Sequence, residues 1–147
     1  MQWQKDNYTI TTNRAAFSIE YIHRYLSTQS YWAEGIPLQT VQKSVEGSLS
    51  FGVFCNDQMM GFARVITDKA TFAYLADVFI DESFRGKGLS KWLMEVIMGH
   101  PDLQGLRRFM LATRDAHGLY SQYGFTGITN PERLMQIVRP DIYKTSQ

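Results

Sequence analysis

One cysteine, Cys55, stands among the 147 residues. An intramolecular disulfide is therefore impossible, and a cysteine metal cluster is excluded. Long apolar runs are missing too. No stretch approaches the roughly 18 residues needed to span a bilayer. The opening run, Met-Gln-Trp-Gln-Lys-Asp-Asn-Tyr, has no apolar core of a signal peptide. These absences lead to the expectation of a cytoplasmic protein with no membrane partner. Excess charge is also lacking: 15 basic against 14 acidic side chains leave a formal net charge of +1. Nothing in that balance points to nucleic acid, so any anion site has to be local. Three scattered histidines, without cysteine or paired carboxylates at ligand spacing, make no case for a metal. There is no internal repeat, low-complexity tract or linker.

What is present is a globular composition, 44% hydrophobic and 20% charged, in a length that suits one domain over 1–147. Tyr8 to Thr12 reads as a short strand. Asn13 can cap a following helix whose Ala15, Ile19, Ile22 and Leu26 share one face. Ser27 to Pro37 reads as a loop, and Pro37 suits the start of a short helix carrying Leu38, Val41 and Val45. The period then changes to two. Leu49, Phe51, Val53 and Cys55 alternate along a strand, Asn56-Asp57 marks a turn, and Met60 to Ile66 returns. Phe72 to Ile80 makes a third strand. Leu89, Trp92, Leu93, Val96 and Ile97 outline an amphipathic helix ended by Gly99 and Pro101. Phe109 to Ala112 is a short buried strand, Asp115 to Tyr123 a helix, and Phe125–Ile128 and Leu134–Val138 two last strands. The strand, glycine turn, helix and strand from Phe72 to Ala112 suit a parallel crossover. The expected class is α/β (α+β), a mixed sheet with helices on both faces.

The sharpest local signal is Arg85-Gly86-Lys87-Gly88-Leu89-Ser90, between a strand and a strong helix. Glycines let a backbone turn tightly and let a ligand come close. Unpaired N–H groups at a helix start bind anions, and Arg85 and Lys87 add full charges. A phosphate site and a plain strand-to-helix turn with solvated cations both remain open on the glycines alone. The spacing fits neither a P-loop nor a dinucleotide fingerprint.

The segment Arg85–Ser90 resembles the acyl-CoA pyrophosphate loop of GNAT acetyltransferases, Arg/Gln-x-x-Gly-x-Gly/Ala, with Ser90 in place of the last small residue. Leu119-Tyr120-Ser-Gln-Tyr-Gly124-Phe125 is similar to the family's Phe/Leu-Tyr-x-x-x-Gly-Phe element, and the order and spacing of the two agree. The chain departs at Thr113 and His117, where the family often has Asn and Ala. The motif-bearing resemblance runs from Met59 to Phe125. It implies a mostly antiparallel sheet whose central parallel strand pair splays around acetyl-CoA, the acyl-donor cosubstrate, with no metal.

The resemblance further implies that the backbone of Val78, Phe79 and Ile80 lies beside the pantetheine arm. It implies that Arg85, Gly86, Lys87, Gly88, Leu89 and Ser90 hold the pyrophosphate, and that Tyr120 serves the leaving sulfur. The reaction expected is acyl transfer to the primary amine of a small molecule or peptide. Asp77, next to Val78, could relay a proton through water or orient backbone near the splay. Tyr74 and His117 are lesser candidates for a base. Tyr31 and Trp32, with Glu34, could wall an acceptor site for a cationic amine, or plug the sheet edge. A silent acyl-CoA-binding module stands as the alternative function. A homodimer is a further expectation, since exposed strand ends invite pairing.

Overall fold

A computed structural model describes residues 1–144. Its six strands lie in the order of the chain: β1 (Gln2–Lys5), β2 (Tyr8–Thr11), β3 (Leu49–Cys55), β4 (Gln58–Thr67), β5 (Phe72–Ile80) and β6 (Arg108–Leu111). The first five are antiparallel neighbours, and β5 and β6 are parallel. The helices are α1 (Ile19–Thr28), α2 (Leu38–Glu46), α3 (Leu89–Gly99) and α4 (His117–Ser121). α3 makes the crossover that a parallel pair requires.

Alternation along β3 sorts the molecule into two cores. Phe51 and Val53 join β5 and α3 in one, around Leu93, Met94 and Ile97. The opposite face of the sheet packs Phe62 and Phe79 against α1 and α2, through Ile22, Leu26, Val41 and Val45. Burying each large side chain stabilises the fold by about 1.5–3 kcal/mol. Gly52 is what lets Phe17 lie flat on that second face: a Cβ there would stand 2.6 Å from the Phe17 ring.

Two local expectations need correction, and one strand, β1, had none. Asn13 caps only a single 3₁₀ turn, Arg14–Ala16, and α1 starts later, where the Ser18 hydroxyl accepts from the Tyr21 N–H. β1 carries no legible pattern, because Gln2, Gln4 and Lys5 face solvent on an edge strand and only Trp3 packs inward. The strands expected at Phe125–Ile128 and Leu134–Val138 do not form. A strand needs a hydrogen-bonding neighbour. Among the described residues, no backbone hydrogen bond joins 126–129 or 135–138 to another strand, and β6 ends the sheet.

Candidate active site

Pairing between β5 and β6 stops at Leu75↔Leu111, while β5 runs on to Ile80. Beyond that point β5 has only β4 beside it, so the parallel pair opens into a splay. A bulge marks the same place. Phe62 faces Phe79 and Arg64 faces Ala76, leaving an extra β5 residue between them. Asp77 sits in it with φ of +55°, a conformation that Asp tolerates better than most residues. Such a bulge re-aims the strand and leaves backbone groups free of the ladder. Val78 follows half-exposed, whereas the side chains of Phe79 and Ile80 are buried.

From Ile80 the chain makes one 3₁₀ turn, Glu82–Phe84, and enters the loop. Gly86 and Gly88 take φ of +81° and +76°, and a Cβ on either would meet nothing within 4 Å. Both glycines thus present bare backbone to open space. Gly88 is the N-cap of α3 and offers no side-chain hydrogen bond to the first turn. Among the described residues, the N–H groups of Gly86 through Lys91 have no backbone or side-chain acceptor; the first in-turn bond is Trp92 N–H to the Gly88 carbonyl. Six consecutive free donors at the positive end of a helix form an anion cradle. A cavity of about 210 Å³ lies against them, reaching Leu119 of α4. The residues therefore fit a pyrophosphate on this observation alone. Arg85 contributes differently from what its charge suggested. Its guanidinium turns inward, donating to the Ile80 carbonyl at 3.2 Å and to the Tyr25 hydroxyl at 2.9 Å. It braces the loop against β5 and α1.

Next to the splay lies a cavity of about 680 Å³ that brings together Tyr31, Trp32, Arg64, Asp77, Arg114 and Tyr120. Tyr74 lines it as well. Asp77 is its hub, with a side chain only 8% exposed. One carboxylate oxygen accepts from the Trp32 indole at 2.7 Å and the other from Arg64 Nε at 2.5 Å. Arg64 also donates to the Ser48 hydroxyl at 3.2 Å. Tyr31 spans the cavity mouth. Its hydroxyl accepts from the Arg114 N–H at 3.0 Å, and the Arg114 guanidinium covers its ring at 3.9 Å. The ring face expected to attract a cationic amine is thus already covered by the protein's own cation, and Glu34 does not line the cavity.

Tyr120 is 9% exposed, on α4, held edge-on by Phe125 at 6.1 Å between centroids. Among the described residues no hydrogen bond involves its hydroxyl, and the residue lines the Asp77 cavity. Burial pushes its pKa up to about 12, and the neighbouring Tyr31 and Asp115 add to the shift. His117 lines a different, apolar cavity on the far side of Tyr120. His23 meets the Ile36 carbonyl, and His100 packs between Trp3 and Phe51. Among the described residues no three His, Cys, Asp or Glu side chains cluster as metal ligands, and no helix is long and apolar enough to cross a membrane.

Sequence reasoning found Asp77, Tyr31 and Trp32 but not Arg64, Ser48 or Arg114. Arg64 had a usable signal. It is the one charge in the apolar run from Met59 to Ile66, and a half-buried guanidinium there needs an acid across the hairpin. Arg114 had none, because it reaches Tyr31 from 83 residues away.

Comparison with known proteins agrees with this geometry. The model of the Acetyltransferase (GNAT) family matches residues 13–125. A protein of Gibberella zeae, named as a candidate acetyltransferase, is 28% identical over 142 residues, covering 82% of this chain and 79% of its own. A crystal structure of a candidate GNAT-family acetyltransferase from Xanthomonas campestris is 50% identical, with a TM-score of 0.93 over 97% of this chain and 100% of that one. A GNAT acetyltransferase of Elizabethkingia anophelis with acetyl-CoA bound shares the fold, at a TM-score of 0.62 and 17% identity over 83% of this chain and 78% of its own. With a strand splay, an uncapped glycine loop and a tyrosine between them, and with the family matched over most of its length, the chain belongs to the GNAT acetyltransferases and is an acyltransferase.

Proposed function

We propose that the protein transfers acetyl from acetyl-CoA to a primary amine of a small molecule or peptide, by direct attack within a ternary complex. The observation that carries this reading is adjacency on one strand and one helix. The cavity at the donor cradle is lined by Ile80 of β5 and Leu119 of α4, and the Asp77 cavity by Val78 and Tyr120 of the same two elements, where β5 has lost β6 as a neighbour. Acetyl-CoA supplies the activated acyl group. The amine nitrogen forms a bond to the carbonyl carbon, the carbon–sulfur bond breaks, and the nitrogen's proton passes to water. A backbone N–H freed at the bulge stabilises the charge on the carbonyl oxygen. The lone cysteine, Cys55, lies at the end of β3 and lines neither cavity, which favours direct attack over an acyl-cysteine.

Tyr120 serves the departing sulfur by a hydrogen bond. A phenol near 12 is too weak an acid to hand its proton fully to a thiolate whose conjugate acid is near 8.5. Asp77 works as a positioning residue: both oxygens are spent on Trp32 and Arg64, so it shapes the bulge and the acceptor wall. The amine itself reaches the site neutral or loses its proton to water. The test is a screen of primary amines with acetyl-CoA, read by release of free thiol. Release with an amine, and intersecting lines in two-substrate kinetics, support the reading. Parallel lines, or no release with any amine of the panel, overturn it.

A further inference from the structure

At the end of the sheet away from the splay, β3 outruns its neighbour. β2 stops at Thr11, opposite Gly52, while β3 begins at Leu49. Leu49, Ser50 and Phe51 therefore pair with β4 alone. Beside them lies a cavity of about 500 Å³. Thr12 and Arg14 line it, with Glu46 and Ser48 at the end of α2, Lys69 after β4 and His100 after α3. It shares no lining residue with the donor cradle or the Asp77 cavity.

Ser50 is the anomaly in this lining. It is 2% exposed, and its Oγ is buried without a hydrogen-bond partner among the described residues. The other three hydroxyls of the cavity are all engaged. Thr12 donates to the Met1 carbonyl at 3.3 Å, Ser48 to the Ser44 carbonyl at 2.7 Å and Thr67 to the Phe72 carbonyl at 2.6 Å. Strand alternation puts the Ser50 side chain on the face of Gly52, the side of α1 and α2. Arg14 stands on that side, one of its N–H groups on the Glu46 carbonyl at 2.5 Å and others to spare. A buried hydroxyl left alone is destabilising, and folded proteins keep few of them. The remaining groups are short of acceptors too. The Asp102 N–H donates to His100 Nδ1 at 3.0 Å, which leaves the proton of the neutral ring on Nε2. Burial holds the His100 pKa below the usual histidine value, so the ring stays neutral. The two acids of the rim already have partners: Gln42 donates to Glu46 at 3.5 Å, and Lys69 stands 3.7 Å from Asp102. That last pair is well exposed and weak, so the Lys69 ammonium is free to turn inward.

We propose that this cavity is a second ligand site, which takes a small oxyanion, a carboxylate or a phosphate, with one oxygen on the Ser50 hydroxyl and the charge facing Arg14 and Lys69. The ligand supplies the acceptor that the buried hydroxyl lacks. The site also adjoins the acceptor wall. Arg64 donates through Nη1 to the Ser48 hydroxyl at 3.2 Å and through Nε to Asp77 at 2.5 Å, and Asp77 holds the Trp32 indole. Occupancy therefore reaches Trp32 through Ser48, Arg64 and Asp77.

The test is a nuclear magnetic resonance titration of the full chain, which needs no assay of acetyl transfer. Inorganic phosphate and acetate are added separately to tens of millimolar, at constant ionic strength, with chloride as the control. Saturable amide shifts are expected at 12–14 and 47–50, and the Trp32 indole N–H should move with the same Kd. Response to phosphate alone or to acetate alone identifies which oxyanion the site takes. Shifts at Gly86–Lys91 report the donor cradle and are read apart, so either site can fail without the other. Ser50→Ala should weaken binding at least about tenfold, the worth of one hydrogen bond to a charged group. Without ligand the same variant should melt at or above the parent, because it removes a buried hydroxyl that has no partner. Absence of saturable shifts at 47–50 with both anions overturns the site, and so does an equal response to chloride. A Ser50→Ala variant that binds like the parent, or melts several degrees lower, overturns the role of the hydroxyl. A Trp32 indole that stays still while 47–50 saturate overturns the link to the acceptor wall.

Discussion

The two sides of the splay are built from different material. The donor side is backbone: six free N–H groups in a row, two glycines at positive φ, and a strand that has parted from β6 on one edge. The acceptor side is side chains drawn from four distant places, with Trp32 and Arg64 meeting on Asp77 and Tyr31 clasping Arg114. Backbone donors recognise a phosphate or a carbonyl whatever else the ligand carries. Side chains recognise shape and charge, and they change freely without disturbing a fold. On the proposed reading, the difference teaches where constancy and variety reside: the donor half would suit one cosubstrate, and the acceptor half would set which amine enters.

The largest effect should come from blocking the backbone. A Cβ at Gly88 meets no protein atom, so substitution leaves packing intact and acts through positive φ and through the space where a ligand would lie. The conformational cost is about 1–2 kcal/mol for an L-residue. Gly88→Ala and Gly88→Val share that cost but differ in bulk. Calorimetry should show the valine variant losing acetyl-CoA affinity by at least about 100-fold, and the alanine variant clearly less. Equal affinity in parent and valine variant would break the assignment of the cradle.

Tyr120 stands between the two halves and should follow in size. Removing its hydroxyl leaves no protein partner unsatisfied, so Tyr120→Phe should melt like the parent. Its kcat at saturating acetyl-CoA should fall by roughly 10²-fold, the low end for proton-transfer assistance. With a pKa near 12, Tyr120 stays protonated across any workable assay range, so neither limb of the rate profile should disappear in the variant. A limb that does disappear would give Tyr120 a titrating role.

How much of this was legible follows from the same division. Arg85–Ser90 and Leu119–Phe125 are contiguous, and a loop whose function is made by its own backbone can be read from a run of residues. The 3.6 period of α3 and the alternation of β3 were equally local. The Asp77 cluster was not, because the bulge shifts the β4–β5 register just before Asp77, and counting across the hairpin does not place Arg64 beside it. Arg85 misled for a related reason: its charge was visible, but its pull toward Tyr25, 60 residues away, was not. The segments 125–128 and 134–138 have a strand's composition without a strand's neighbours, so their pattern was read correctly and their state was not.

Asp77 sharpens the contrast from the acceptor side. Asp77→Ala leaves Arg64 partly buried without its anion and frees the Trp32 indole, at a stability cost of about 1–3 kcal/mol. The amine KM should rise about tenfold, the value of one such lost interaction, while acetyl-CoA affinity stays put. Asp77→Asn keeps an acceptor for Trp32 and tolerates positive φ, so it should fall between parent and alanine. A loss of acetyl-CoA affinity matching that of Gly88→Val would erase the distinction between the halves.

The smallest effect belongs to the clasp at the cavity mouth. The Tyr31 hydroxyl accepts one hydrogen bond from the Arg114 N–H, and its ring carries the Arg114 guanidinium. Both groups are well exposed, with Tyr31 at 46%, so water replaces most of what a substitution removes. A net hydrogen bond is worth about 0.5–1.5 kcal/mol, and an exposed one sits at the low end. Tyr31→Phe should therefore lower kcat/KM for the amine only about two- to threefold. Tyr31→Ala also removes the ring. A cation–π contact at an exposed site adds about 0.5–1 kcal/mol, which brings the loss near tenfold. In both variants the change should fall on the amine's KM and leave kcat and acetyl-CoA affinity alone, because the clasp shapes entry and touches neither the cradle nor the sulfur. If Tyr31→Phe instead lowers kcat with KM unchanged, the hydroxyl acts on the reacting atoms through its neighbour Tyr120, and the boundary between the two halves lies one residue deeper than the geometry draws it.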